Sequence, residues 1–158
     1  MPTDITPNLW FDTEAEEAAE FYCSVFANSR VLNVTHYTEG APRPAGGVMT
    51  VEFELDGNRF VGINGGPEFK FNEAVSLQID CEDQAEVDRY WEKLTADGGE
   101  EGPCGWLKDR FGLSWQVTPK GMGELFNGSD SARAERAMKA MLQMKKLDIA
   151  ALRAAADG

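Results

Sequence analysis

Histidine and cysteine are scarce in this 158-residue chain: it has one His, His36, and three Cys, Cys23, Cys81 and Cys104. The cysteine separations match no CxxC zinc pattern, and an odd count without a secretion signal reads as free thiols. No apolar run approaches the roughly 20 residues that a membrane-spanning helix requires. Met1–Asp4 carries neither a basic n-region nor an apolar h-region, which sets a cytoplasmic expectation. Basic residues are also few, 15 Lys/Arg against 27 Asp/Glu, for a formal net charge of −12. That balance excludes nucleic acid as a partner, because a binder must neutralise phosphates with Lys and Arg. The deficit is uneven: residues 127–158 are net +2, so the rest of the chain holds −14. This slightly basic tail reads as a solvated helical face, or as a face packed on the acidic body or on a partner.

What the chain has is a repeat. "FDTEAEEAAEFYCSVF", Phe11–Phe26, lies without gaps on "IDCEDQAEVDRYWEKL", Ile79–Leu94, at an offset of 68. A strand-like run precedes each copy, Ile5–Phe11 and Val75–Asp80. Each enters a helix through a capping-box spacing, Thr13…Glu16 and Asp83…Glu86. Apolar residues recur at helical spacing, Ala15, Ala18, Tyr22, Val25 and Phe26 in one helix and Val87, Tyr90, Trp91 and Leu94 in the other. Further strands follow: "RVLNVTHY", "VMTVEFEL" and "RFVGI" in the first copy, then a short segment near Glu100, "CGWLK" and "LSWQVT" in the second. Asp56–Asn58 and Asp109–Gly112 supply hairpin turns. The irregular loop Thr38–Gly47 is present only in the first copy, and loops of this length are often functional.

The expected fold is α+β. Two βαβββ modules, about 5–66 and 74–120, form a curled mixed sheet with a concave cleft and helices outside. They make up a domain over residues 1–126, and a C-terminal helical extension follows over 127–158. In that extension Met138, Met141, Leu142 and Lys145 form one helical stripe with Met144 beside it, and Asp148 is placed to cap a second short helix containing Ile149 and Leu152. The stripe suits the chain's own surface or a dimer contact.

The paired pattern resembles the glyoxalase/bleomycin-resistance/dioxygenase superfamily, also called vicinal oxygen chelate, and within it the PhnB-like, 3-demethylubiquinone 3-methyltransferase-like family. The resemblance rests on "ITPNLWFDTEAEEAAEFYCSVF" at Ile5–Phe26, "CGWLKDRFGLSWQVTP" at Cys104–Pro119 and "AMLQMKKLDIAAL" at Ala140–Leu152. It implies a homodimer, with the Met-rich tail exchanged or packed across the interface. It also implies metal-ligand positions near Pro7 or Asn8, near Asn64, near Ala74 and at Gln116. None of these is His or a carboxylate, and neutral amides are poor ligands for a divalent ion. No metal or other cofactor is therefore expected, with a divalent metal as the disfavoured alternative. A lone His36 reads as a surface or packed residue.

The family's name implies S-adenosylmethionine. The best phosphate-loop-like candidate, Val61–Phe69, is not followed by a helix start, so Gly65–Pro67 reads as a turn or linker. The expected function is binding of a small organic molecule without a metal. A small-metabolite enzyme, or the methyltransferase of the family name, are the alternatives. The expected cleft residues are Asn8, Trp10, Phe53, Asn64, Trp106, Lys108 and Gln116. Alternation puts Trp115 opposite Gln116, under a helix. Cys104, in "GPCGW", is the candidate nucleophile if Lys108, Lys120 or Arg110 favours its thiolate. The other reading is an unreactive thiol at a loop–strand junction. Asp109 reads as the stabiliser of its turn.

Overall fold

A computed structural model describes residues 3–158. The chain divides into two compact units, Met1–Phe71 and Asn72–Gly158. Each contains a four-stranded mixed sheet with the same internal order.

In the first unit, strand β1 (Asn8–Phe11) leads into helix α1 (Ala15–Val25), followed by β2 (Arg30–His36), β3 (Val48–Leu55) and β4 (Asn58–Asn64). The sheet order is β1-β4-β3-β2, with β1 parallel to β4 and the other pairs antiparallel. Asp56 and Gly57 join β3 to β4 with φ of 46° and 81°. Both central residues are left-handed, as a tight two-residue hairpin that follows the strand twist requires. Alternation divides the sheet cleanly. Leu9, Phe11, Val51, Phe53 and Leu55 are buried on the α1 side, with Ala15, Ala18, Ala19, Tyr22 and Val25 packed against them. Phe53 is 1% exposed, with ring centroids 6.2 Å from Tyr22 and 5.5 Å from Phe60. Glu52 and Glu54 take the other face, where Arg59 and Arg30 hold them at 2.9 and 3.2 Å.

The second unit repeats this plan with β5 (Ser76–Cys81), α2 (Gln84–Thr95), β6 (Glu100–Glu101), β7 (Trp106–Lys108) and β8 (Ser114–Pro119) in the order β5-β8-β7-β6. Val87, Trp91 and Leu94 pack on the face carrying Leu107, Trp115 and Val117. The buried positions of α1 and α2 match at an offset of 69, not 68. Tyr22 therefore corresponds to buried Trp91, while Tyr90 sits half-buried at the helix flank. Identity between Tyr22 and Tyr90 favours the wrong phase by one residue.

The capping-box expectation holds at the second helix entry and fails at the first. In the second copy the Asp83 side chain accepts from the Glu86 N–H at 2.9 Å, and Glu86 accepts from the Glu82 N–H at 2.8 Å. In the first copy Thr13 caps nothing, and residue 14 provides no side-chain cap. The Ala15 N–H donates instead to Asn64 Oδ1 at 2.8 Å, so a strand residue far away in sequence takes over the cap's role.

Three helices complete the second unit: α3 (Met122–Asn127), α4 (Ser131–Met141) and α5 (Ile149–Asp157). Asp148 caps α5 through the Ala151 N–H, as its position in the sequence suggests. The methionine stripe does not form the packing face. Ala137, Leu147, Leu152 and Ala156 are buried, whereas Met138 is 40% and Leu142 57% exposed. The chain leaves the helix at Met141, so the residues beyond it no longer follow helical spacing. The Cys104 and Gly105 N–H groups donate to the Met144 and Lys145 carbonyls, and Gln84 bonds both the Leu147 carbonyl and the Ile149 N–H. These contacts fasten the tail to α2 and to the loop before β7. No helix among the described residues is long and apolar enough to cross a membrane.

Candidate functional site

The second sheet turns one face away from α2. Alternation and register place Ser76 and Gln78 of β5, Trp106 and Lys108 of β7, and Ser114 and Gln116 of β8 on that face. Gln116 lies between Gln78 and Trp106 as their register partner, and Ser114 lies between Ser76 and Lys108. Directly opposed side chains on one sheet face stand about 5 Å apart at Cβ, so these six form one patch. Gln116 Nε2 donates to Ser76 Oγ at 2.9 Å, which fixes the amide and leaves Oε1 pointing away from that bond. Lys108 pairs with Glu73. The side-chain hydrogen bond from Lys108 lowers the Glu73 carboxyl below its ordinary value and raises the Lys108 ammonium, so both stay ionised near neutrality.

Ser114 is the anomaly in this patch. The residue is 1% exposed, and its Oγ has no hydrogen-bond partner among the described residues. A buried hydroxyl without a partner costs roughly 1–3 kcal/mol.

The opposite face of the same strands is occupied structurally. Trp115 is buried, and its Nε1–H donates to Asp109 Oδ2 at 2.8 Å. Asp109 Oδ1 accepts from the Phe111 and Leu113 N–H groups at 2.9 and 3.1 Å, which holds the turn between β7 and β8.

Of the seven expected cleft residues, Trp106, Lys108 and Gln116 share this patch. Asn8 and Trp10 lie on the corresponding face of the first sheet, away from α1. Trp10 donates from Nε1 to the Gly66 carbonyl at 2.9 Å and meets Phe69 edge-on at 5.0 Å. Phe53 and Asn64 do not belong with them, since both point toward α1. Phe53 is core. Asn64 is 6% exposed and fully committed, accepting from Ala15 and donating from Nδ2 to the Val48 carbonyl at 3.1 Å. Cys104 is not placed as a nucleophile. Its backbone has φ 57°, and its Sγ donates to the Met141 carbonyl at 3.6 Å, so it acts as a fastening point for the tail. Lys108 is engaged with Glu73 instead. Cys81 is buried, and burial with nearby Glu86 and Asp80 pushes its thiol up to about 12, so it stays protonated. His36 ends β2, exposed.

The residues at the expected metal positions do not fit a divalent ion. Asn64 turns its neutral amide to Ala15 and Val48, Ala74 has no donor side chain, and the neighbours of Gln116 are hydroxyl, amide and indole. Among the described residues no three His, Cys, Asp or Glu converge. S-adenosylmethionine fares no better. No helix follows the turn after β4, and Gly65 there is closed off by the Trp10 ring, into which any Cβ at that position would run.

The sequence reading missed Ser114 and Ser76, although Ser114 shares the alternation of Gln116 two residues away. It also missed a cavity of about 430 Å³ in the first unit, where loop residues Tyr37, Arg43 and Gly47 meet the start of α1. Its wall carries Asp12, Glu14, Glu16 and Glu17, with Arg43 3.6 Å from Asp12, so it is strongly acidic.

A family model described as 3-demethylubiquinone-9 3-methyltransferase matches residues 3–118. A Bacillus cereus PhnB protein bearing the same methyltransferase name is 34% identical, over 74% of this chain and 99% of its own, with a TM-score of 0.65. Protein PA1353 of Pseudomonas aeruginosa is 20% identical over 75% of this chain and 98% of its own, with a TM-score of 0.61. The Listeria monocytogenes fosfomycin resistance protein FosX is 14% identical over 78% and 98%, with a TM-score of 0.54. The last two share the fold alone. No curated protein matches the sequence. The chain belongs to the 3-demethylubiquinone-9 3-methyltransferase, PhnB-like family.

Proposed function

We propose that the protein binds a small planar organic molecule on the face of the second sheet turned away from α2, without a metal ion. The convergence of Ser114, Gln116, Lys108 and Trp106 on one sheet face carries this reading. Gln116 Oε1 offers an acceptor, Lys108 a cation, and Trp106 an aromatic surface for stacking. A few fixed polar groups beside an aromatic wall are what orient a small ligand. We read the patch as a binding surface.

The test is a thermal-shift screen with planar carboxylates, amides and lactones, run on wild type, Ser114→Ala and Gln116→Ala. Hits are expected to lose about tenfold or more in affinity in both variants. Ser114→Ala without ligand should be as stable as wild type or more so, because it removes an unpaired buried hydroxyl. Hits that bind all three proteins equally would sink the proposal. Metal analysis of tag-free protein should find no stoichiometric ion, and one tightly held ion per chain would overturn the metal-free part.

A homodimer is part of the same proposal. Val31 and Leu32, on the edge strand β2, are 38% and 37% exposed, and Met138 and Leu142 add a second apolar area. Light scattering should give the mass of two chains, and a single-chain mass at high concentration would exclude the dimer.

A further inference from the structure

We infer that the C-terminal extension creates a second binding site, for a small apolar monocarboxylate, independent of the sheet patch. A cavity of about 180 Å³ lies where the end of β8 meets α3, α4 and α5, and every residue lining it is at position 119 or later. The family match ends at residue 118, and the Bacillus cereus relative is aligned over 99% of its own length without filling this chain. The cavity is therefore built by residues outside the family match.

Its frame is tied down. Arg133 Nη2 and Nε bond Asp157 at 2.9 and 3.2 Å, joining α4 to the end of α5. Arg136 bonds the Ala155 and Ala156 carbonyls, and Gln84 holds the start of α5 to α2. Leu125, Ile149 and Leu152 give the cavity an apolar lining. Three cations, Lys120, Arg133 and Arg153, and two carboxylates, Glu124 and Asp157, line it, and the partners of the cations differ. Lys120 is paired with Glu82, and Arg133 with Asp157. Arg153 has no carboxylate partner among the described residues, in a chain with a net charge of −12. A mixed pocket with one apolar wall, Leu125, Ile149 and Leu152, beside the Arg153 guanidinium suits a carboxylate on a short apolar body, since arginine takes carboxylates through two parallel hydrogen bonds. At about 30 Å³ per water, the space holds about six waters, which admits an acid the size of benzoate or hexanoate.

The probe is 4-fluorobenzoate, followed by fluorine NMR, with hexanoate as competitor and 4-fluorobenzamide as neutral control. Saturable binding is expected with a Kd on the order of a few millimolar, the affinity open to a ligand of this size. Hexanoate should displace it, and the amide should bind at least about tenfold more weakly. Arg153→Gln, an exposed change that leaves the core intact, should weaken the acid about tenfold or more. Gln116→Ala should leave it unchanged, which separates this site from the sheet patch. Amide resonances of Leu125 and Ile149 should shift with occupancy. No saturation, equal binding of acid and amide, an unaffected Arg153→Gln variant, or loss of binding in Gln116→Ala would each overturn the inference.

Discussion

Asp109→Ala is expected to cost about 4 kcal/mol of folding stability, the largest effect of any single change considered for this protein. Asp109 is 2% exposed, and its two oxygens accept from the Phe111 N–H, the Leu113 N–H and the Trp115 indole N–H. Alanine would leave three donors without an acceptor, each buried or nearly so, and an orphaned buried donor costs roughly 1–3 kcal/mol. Trp115 lies opposite Gln116 in the alternation of β8, so the same change would loosen the strand that carries the ligand patch. Asp109→Asn should cost less, about half, because its amide oxygen can still accept while its NH2 faces donors. Urea unfolding followed by tryptophan fluorescence would measure both. A loss below about 1 kcal/mol for the alanine variant would mean that the turn does not depend on the carboxylate.

This role for Asp109 was legible in the sequence because it is local. An Asp at the start of a four-residue turn, with Gly three residues on, bonds the backbone just ahead of it whatever the rest of the chain does. The repeat, the hairpins and the division of Trp115 from Gln116 were legible for a similar reason, since strand alternation has a fixed period of two. Asn64 was not legible. In "RFVGIN" the larger apolar side chains Val61 and Ile63 look like the buried set. The buried set is Gly62 and Asn64, because a Cβ added to Gly62 would stand 3.2 Å from Ala15 Cβ, so α1 comes close to the sheet at a position without a side chain. Two small residues meeting across helix and strand reverse the apparent phase, and no window along the sequence shows that meeting. The tail failed for a different reason. Its methionine spacing is helical, but the helix stops at Met141, and the side chain that packs within it is Ala137. Ser114 could have been found by extending the alternation of Gln116. Its missing partner could not, because satisfaction of a hydroxyl is a property of three-dimensional neighbours.

Asn64→Leu should destabilise the protein by about 3 kcal/mol while Gln116→Ala changes stability by less than about 1 kcal/mol, although both amides occupy positions where this superfamily's resemblance would place metal ligands. Asn64 joins three elements. Its Oδ1 receives the Ala15 N–H at the start of α1, its Nδ2 reaches the Val48 carbonyl of β3, and its own carbonyl receives the Tyr37 hydroxyl. Leucine keeps the volume but removes both amide bonds, leaving a helix-start N–H and a strand carbonyl unpaired in a site 6% exposed. Gln116 is half-buried and, among the described residues, its amide bonds Ser76 alone, so its loss leaves one hydroxyl that solvent or a ligand can serve. The two variants thus separate two uses of an amide in one fold. Denaturant unfolding of both, paired with binding of whichever planar probe the thermal-shift screen selects, should show Asn64→Leu losing stability with affinity retained in the folded fraction, and Gln116→Ala the reverse. If Asn64→Leu folded with wild-type stability and lost the ligand, Asn64 would be a binding residue after all, and the contact it makes with α1 would be incidental to the fold.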